Sequence, residues 1–217
     1  MYEQTLNKSK AVRLLGVALA LGLGSFPITR VGHEFASTTH LLANEIYWWG
    51  AVGLVLIFVT RIERRPLNSI GLRRPNVWGL VAALGAGILM VAGLAGLLYI
   101  LFPALHLSIN NSVVNQLLGT PRWWLWISTV RAAVAEEVLF RSYPIERLEE
   151  VSGSRIFAAI LSCAIFSLAH VSVWGWAHLM LAGFGGICLT ILYMWRRNLW
   201  VNIIAHFIVD ATALLSA

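Results

Sequence analysis

Charge is the scarcest ingredient of this chain. Asp, Glu, Lys and Arg together make up 12% of its 217 residues, about half the share usual in soluble domains. Cysteine is nearly absent. Cys163 and Cys188 both fall in apolar runs and read as small core residues, which removes a disulfide scaffold. No repeat, low-complexity tract or long linker appears, so the expectation is a single integral membrane domain over 1–217. The helix signature His-Glu-x-x-His, by which many zinc peptidases are read, is missing. Net charge is +6, yet the basic residues are scattered among short loops. That distribution signals topology rather than a nucleic-acid patch, so nucleic acid drops out as a partner.

What is present is apolar. Hydrophobic residues make up 59% of the chain and mean hydropathy is +0.75. This length suits six to eight spanning helices of ~20 residues. Seven apolar segments can be drawn, roughly 11–29, 41–60, 77–102, 123–147, 155–173, 175–195 and 198–216. The first follows Lys8, Lys10 and Arg13 without an obvious small-residue cleavage site, and is expected to be a retained helix. Alternate loops then separate by charge. With the amino terminus in the cytoplasm, the inside set is Lys8, Lys10, Arg13, Arg61, Arg64, Arg65, Arg73, Arg74, Arg147, Arg155, Arg196 and Arg197; the outside set is Arg30 and Arg122. The bias favours an N-in, C-out chain with an odd helix count. Trp48, Trp49, Trp78, Trp123, Trp124, Trp174, Trp176, Trp195 and Trp200 fall near segment ends, as an interfacial aromatic belt requires. The fold class expected is therefore all-α: a polytopic membrane helix bundle of about seven transmembrane helices. The basic stretch from Arg61 to Asn76 reads as a cytoplasmic loop on anionic headgroups. The stretch from Pro103 to Pro121, with Asn110, Asn111, Asn115 and Gln116, is too polar to span.

Against that background a few polar residues stand out. Ala133-Val-Ala-Glu136-Glu137-Val-Leu-Phe-Arg141 places two adjacent glutamates inside an apolar helix. Each charge at the bilayer centre costs at least ~2.5–3.5 kcal/mol, so such residues signal function by default. Glu137 and Arg141 are four apart and can pair on a helix. Glu136 is turned about 100° away and left without that partner. Farther on, His170 follows Phe166 at four-residue spacing, and Asn202, His206 and Asp210 make one polar stripe on the last segment. Each has a bland explanation, since interhelical hydrogen bonds also hold bundles together. The ensemble is harder to explain by packing, and it suits the activation of water. A carboxylate out of bulk water is a stronger base, a neutral imidazole can share its water, and a second imidazole or an amide can steady an oxyanion. Zinc is the rival use of the same groups, with His170, His206 and Glu136 as ligands.

Glu136-Glu137-Val-Leu-Phe-Arg141, Phe166-Ser-Leu-Ala-His170 and His206-Phe-Ile-Val-Asp210 resemble, in order, the three motifs of the CAAX protease and bacteriocin-processing family. The similarity covers roughly 121–216, the motif-bearing core; the first three segments match only in being hydrophobic. The resemblance implies an intramembrane endopeptidase of glutamic rather than metallo type, with no cofactor. Glu136 and His170 would activate the attacking water, with His206 and Asp210 around the oxyanion. Glu137 and Arg141 would position the site; Phe166 is read as supporting it, as is Asn202, which on the polar stripe could fill the donor role in place of Asp210. Asp210 stands where the family often has asparagine. An ionised aspartate cannot donate to an oxyanion, so Asp210 must be protonated or must orient His206.

The expected function is hydrolysis of a membrane-associated peptide or protein, lipid-linked or not, near the cytoplasmic side of a bacterial inner membrane. A proton-coupled transporter and a non-catalytic immunity protein are the alternatives. No inverted repeat or matched pair of broken helices supports the transporter. One measurement fits poorly. At ~1.5 Å per residue, His206 lies about 12 Å from the cytoplasmic start of its segment and His170 about 22 Å from the start of its own.

Overall fold

A computed structural model describes residues 2–26 and 38–216. Arg30 and the end of the chain at Ala217 lie outside the described residues, as do the side chains of Lys8, Asn111 and Gln116. All regular structure among the described residues is helical. In chain order the helices are α1 (Tyr2–Ser25), α2 (Thr38–Ile57), α3 (Val77–Gly96), α4 (Asn111–Leu118), α5 (Arg122–Glu136), α6 (Tyr143–Ser152), α7 (Arg155–Trp174), α8 (His178–Arg196) and α9 (Leu199–Ser216). Among the described residues, four stretches are long and apolar enough to cross a membrane: Thr39–Ile62, Val77–Ala104, Arg155–Trp174 and His178–Arg196. The protein is an all-α membrane helix bundle.

The burial pattern is that of a bundle in lipid. Along α3 the large side chains Leu80, Leu84 and Ile88 are exposed, while Ala83, Gly87 and Met90 face inward. With lipid outside, both faces are apolar, and small residues mark the packed side because they let backbones approach. At Gly87 that approach is close: a Cβ there would stand 3.0 Å from Ile208 of α9. The main core gathers Val17, Val55, Val138, Phe140, Tyr143 and Ile203 from five different segments.

Helix ends follow local chemistry. Asn76 caps α3 by accepting from the Gly79 N–H at 2.8 Å, and Ser154 caps α7 by accepting from Phe157 N–H at 3.2 Å. The segment expected as one helix over 123–147 is instead α5 and α6 joined by a π-helical turn, Glu137–Ser142. Pro144 lies just beyond that turn. It has no N–H, so the Phe140 carbonyl four residues back loses its usual helical donor. Ser162 of α7 donates to that carbonyl instead.

The basic end of the bundle is closed by ion pairs. Arg147, expected among the loop charges, is fully buried. It bonds Glu63 Oε2 at 2.8 Å, Ser69 Oγ at 2.9 Å and Glu150 Oε1 at 3.3 Å. Arg65 and Arg13 also reach Glu150, at 2.6 and 3.1 Å. Arg197 pairs with Glu146 at 2.6 Å and with Glu149. Burial opposes the Arg197 charge, but those two carboxylates outweigh it and raise its pKa above the ordinary value. The loop from Arg61 to Asn76 therefore does not simply lie on headgroups. Ile70 is buried, and the Gly71 carbonyl accepts from Leu199 N–H at 2.9 Å. That bond fixes the start of α9 against the loop. The start of α9 is tucked beneath the loop, with Asn198 and Leu199 buried, whereas Ile156 and Phe157 at the start of α7 are exposed. Both histidines nonetheless reach Glu136, with His170 Nε2 at 3.9 Å and His206 Nε2 at 3.8 Å from its Oε2.

Candidate active site

The π-helical turn puts the two glutamates in different surroundings. Glu137 is fully buried and saturated with donors. Arg141 Nη1 donates to its Oε1 at 3.1 Å and Asn202 Nδ2 to its Oε2 at 2.9 Å. His206 Nδ1 lies 2.9 Å from Oε1. Asn202 also donates to the Leu189 carbonyl at 2.7 Å, so the π-helical turn, α8 and α9 are tied together through one amide. Arg141 is equally buried, and its Cζ sits 3.6 Å from the centroid of the Phe166 ring. Among the described residues its Nε and Nη2 have no hydrogen-bond acceptor. The aromatic face and Glu137 are what offset the burial of that charge.

Glu136 is the looser of the pair. Its side chain keeps 17% of its exposure, and its Oε2 lies 3.9 Å from His170 Nε2 and 3.8 Å from His206 Nε2. Both separations are too long for a direct hydrogen bond and suit a shared water. The tautomers follow from the other ring nitrogens. His170 Nδ1 is 2.9 Å from the Phe166 carbonyl, which can only accept, so Nδ1 carries a proton. By the same logic His206 Nδ1 donates to Glu137, whose Oε1 already receives Arg141. Each ring thus turns its Nε2 toward Glu136. Asp210 Oδ2 is 3.6 Å from His206 Nε2 and half-exposed. All eight residues singled out by sequence therefore converge: Glu136, Glu137, Arg141, Phe166, His170, Asn202, His206 and Asp210.

The donor types suit a metal, but the spacing is wide. Tetrahedral bonds of ~2.0–2.1 Å bring ligand atoms to about 3.3–3.4 Å from one another. Among the described residues no three His, Cys, Asp or Glu groups stand close enough to hold an ion.

Sequence reasoning missed two neighbours. His178 stacks on His170 with centroids 6.0 Å apart and on Trp174 at 4.8 Å. The turn that folds His178 back runs through Gly175 at φ +85°, a left-handed conformation that breaks helical spacing and hides the contact from a periodicity argument. Arg131 of α5 donates from Nε to Glu45 of α2 at 3.0 Å. Glu45 and Arg131 are 86 residues apart, so no local pattern joins them.

A cleft of about 240 Å³ leads to Glu136 and His170, walled by Trp48, Trp124, Leu125, Phe140 and Val173 among others. Its outer lining, including Ser25, Leu41, Thr120 and Trp174, belongs to helix ends opposite the ion-paired end. A larger groove of about 470 Å³, between α7 and α8, is apolar and does not reach either glutamate.

Comparison with known proteins bears out the resemblance carried by the three motifs. Residues 118–212 match the family model described as type II CAAX prenyl endopeptidase Rce1-like. The chain is also similar to the candidate membrane peptidase YdiL of Bacillus subtilis (strain 168), 25% identical over 163 residues. That alignment covers 72% of this chain and 64% of the relative, so the chain spans less than two thirds of the relative's length. No solved structure matches.

Proposed function

We propose that this protein is an intramembrane endopeptidase in which Glu136 and His170 activate the water that attacks a peptide carbonyl. The observation that carries this reading is the convergence of two ring nitrogens on one partly exposed carboxylate at the end of a cleft. The match to the Rce1-like family supports it. A water between these groups gives one proton to Glu136 as its oxygen bonds the carbonyl carbon, while His170 Nε2 accepts its other hydrogen and orients it. The carbonyl electron pair moves onto the oxygen. His206, ringed by Glu136, Glu137 and Asp210, acts as an imidazolium: Nδ1–H stays on Glu137 while Nε2–H donates toward that oxyanion. Glu136 then returns its proton to the leaving amine as the C–N bond breaks. Glu137, Arg141, Phe166 and Asn202 hold the frame. Asp210 acts on His206, the group it faces at 3.6 Å.

The setting we propose is a bacterial cytoplasmic membrane, with seven spans, a peptide or protein substrate and no resident cofactor. Zinc is the competing reading, because each histidine also has the anchored Nδ1 typical of a metal ligand. His170, His206 and Glu136 would hold the ion, which would supply Lewis-acid activation of water. Metal analysis separates the two. Purified active protein should carry no stoichiometric transition metal and should survive exhaustive chelation. Zinc lost together with activity, and restored with it, would transfer the mechanism to the metal. Comparison of protein termini in cells carrying wild-type protein or Glu136→Gln identifies the substrate by the terminus that depends on Glu136.

A further inference from the structure

A run of flat side chains passes through the site. Buried Arg141 lies on the Phe166 ring, with its Cζ 3.6 Å from the centroid. Phe166 meets His170 at 4.5 Å between centroids, and His170 meets His178 at 6.0 Å with the two planes 13° apart. The run ends on Trp174, 4.8 Å from His178 and 15° from its plane. Arg141 comes from the π-helical turn and Phe166, His170 and Trp174 from α7, whereas His178 is the first residue of α8. The chain folds His178 back through Gly175, at φ +85° and ψ 172°, a conformation essentially confined to glycine. Gly175 N–H on the Val171 carbonyl at 2.9 Å and His178 N–H on the Gly175 carbonyl at 3.2 Å hold the reversal.

We propose that His178 is a positioning residue for the hydrolysis, fixing the plane of the His170 ring so that Nε2 stays aimed at the water shared with Glu136. The effect on turnover rests on the endopeptidase reading; the effect on the ring does not. Among the described residues His170 makes one direct hydrogen bond, from Nδ1 to the Phe166 carbonyl at 2.9 Å. Its Nε2 is 3.9 Å from Glu136, too far to be held by it. The torsion that turns an imidazole is broad and roughly two-fold, so one bond is a loose restraint. A half-turn of the ring would break the Phe166 bond and put a carbon where Nε2 stood. Any turn swings the ring out of its plane and against a neighbour lying parallel to it, which the stack on His178 opposes. The Phe166 carbonyl thus selects which nitrogen carries the proton, and His178 selects the plane. The cleft reaches His170 and Trp174, but among the described residues His178 does not wall it, so His178 backs the His170 ring rather than facing a substrate.

The test compares His178→Ala with His178→Phe in full-length protein whose histidine ring nitrogens are isotopically labelled for NMR, the His170 signals being those that His170→Gln removes. Wild-type protein should show His170 as the Nδ1–H tautomer. His178→Ala should show a mixture of the two tautomers at an unchanged melting temperature, and His178→Phe, which keeps a flat ring, should restore the single form. On fluorogenic apolar peptides His178→Ala should lower kcat by ~10-fold or more, as lost alignment does. Its KM should stay within about twofold of wild type, and His178→Phe should recover most of the lost kcat. A single His170 tautomer in His178→Ala, or a kcat within a few-fold of wild type, overturns the proposal. So does an equal loss in His178→Phe, or a loss that only follows the folded fraction. Wild-type protein that cleaves no peptide, while its His170 tautomer still depends on His178, removes the endopeptidase reading and leaves the orienting role of His178 standing.

Discussion

The difference between Glu136 and Glu137 is one of partners rather than position. Glu137 accepts from Arg141, Asn202 and His206 in a dry pocket, whereas Glu136 faces a cleft and two unbonded ring nitrogens. Glu137→Gln leaves the Arg141 charge without its counter-ion, and breaking a buried pair costs ~3–5 kcal/mol. Its melting temperature should fall together with its activity, as a thermal-shift series would record. His206→Ala should lower turnover far more than substrate affinity, because its Nε2 is aimed where negative charge develops. This scale was the most legible in the sequence. The four-residue spacing of Glu137 with Arg141, and of Phe166 with His170, translated directly into contacts. The dual task of Phe166 was not legible: its carbonyl fixes the His170 tautomer while its ring carries the Arg141 guanidinium. Nor was the turn of His206 Nδ1 toward Glu137, which depends on how α9 meets the π-helical turn.

Among the elements, the π-helical turn over Glu137–Ser142 is what separates the glutamates from a regular helix. Such turns concentrate at functional sites because they re-aim side chains. Here it is joined to Pro144, and Ser162 supplies the donor that the proline removes. Ser162→Ala should therefore leave a buried carbonyl unsatisfied and cost ~1–3 kcal/mol. Denaturation of purified protein should show that loss. Cleavage per folded molecule should remain, since Ser162 touches no reacting group. Apolar periodicity marked α5 and α6 as one segment, because a π turn adds a residue without altering composition. It likewise could not show that the start of α9 is held against the basic loop, by Leu199 N–H on the Gly71 carbonyl and Asn198 on the Arg73 carbonyl.

At the scale of the whole molecule, hydropathy identified a membrane helix bundle and charge separated its two ends. The basic residues were legible as a set but not one by one. Arg147 looks like a loop cation in sequence and is a fully buried hub in three dimensions, because Glu63 and Ser69 arrive from a segment some eighty residues away. Arg147→Ala should strand Glu63 and lower stability by ~3–5 kcal/mol, with the residual activity following the folded fraction. Each step of the proposed hydrolysis depends on Glu136 as the base. Its most direct test is cleavage of a fluorogenic library of apolar peptides by purified wild-type protein and by Glu136→Gln, each checked for folding by thermal shift. The expected result is an equal melting temperature and turnover lower by at least ~10²-fold, the scale of general-base catalysis. A folded Glu136→Gln protein that cleaves within a few-fold of wild type would contradict the account.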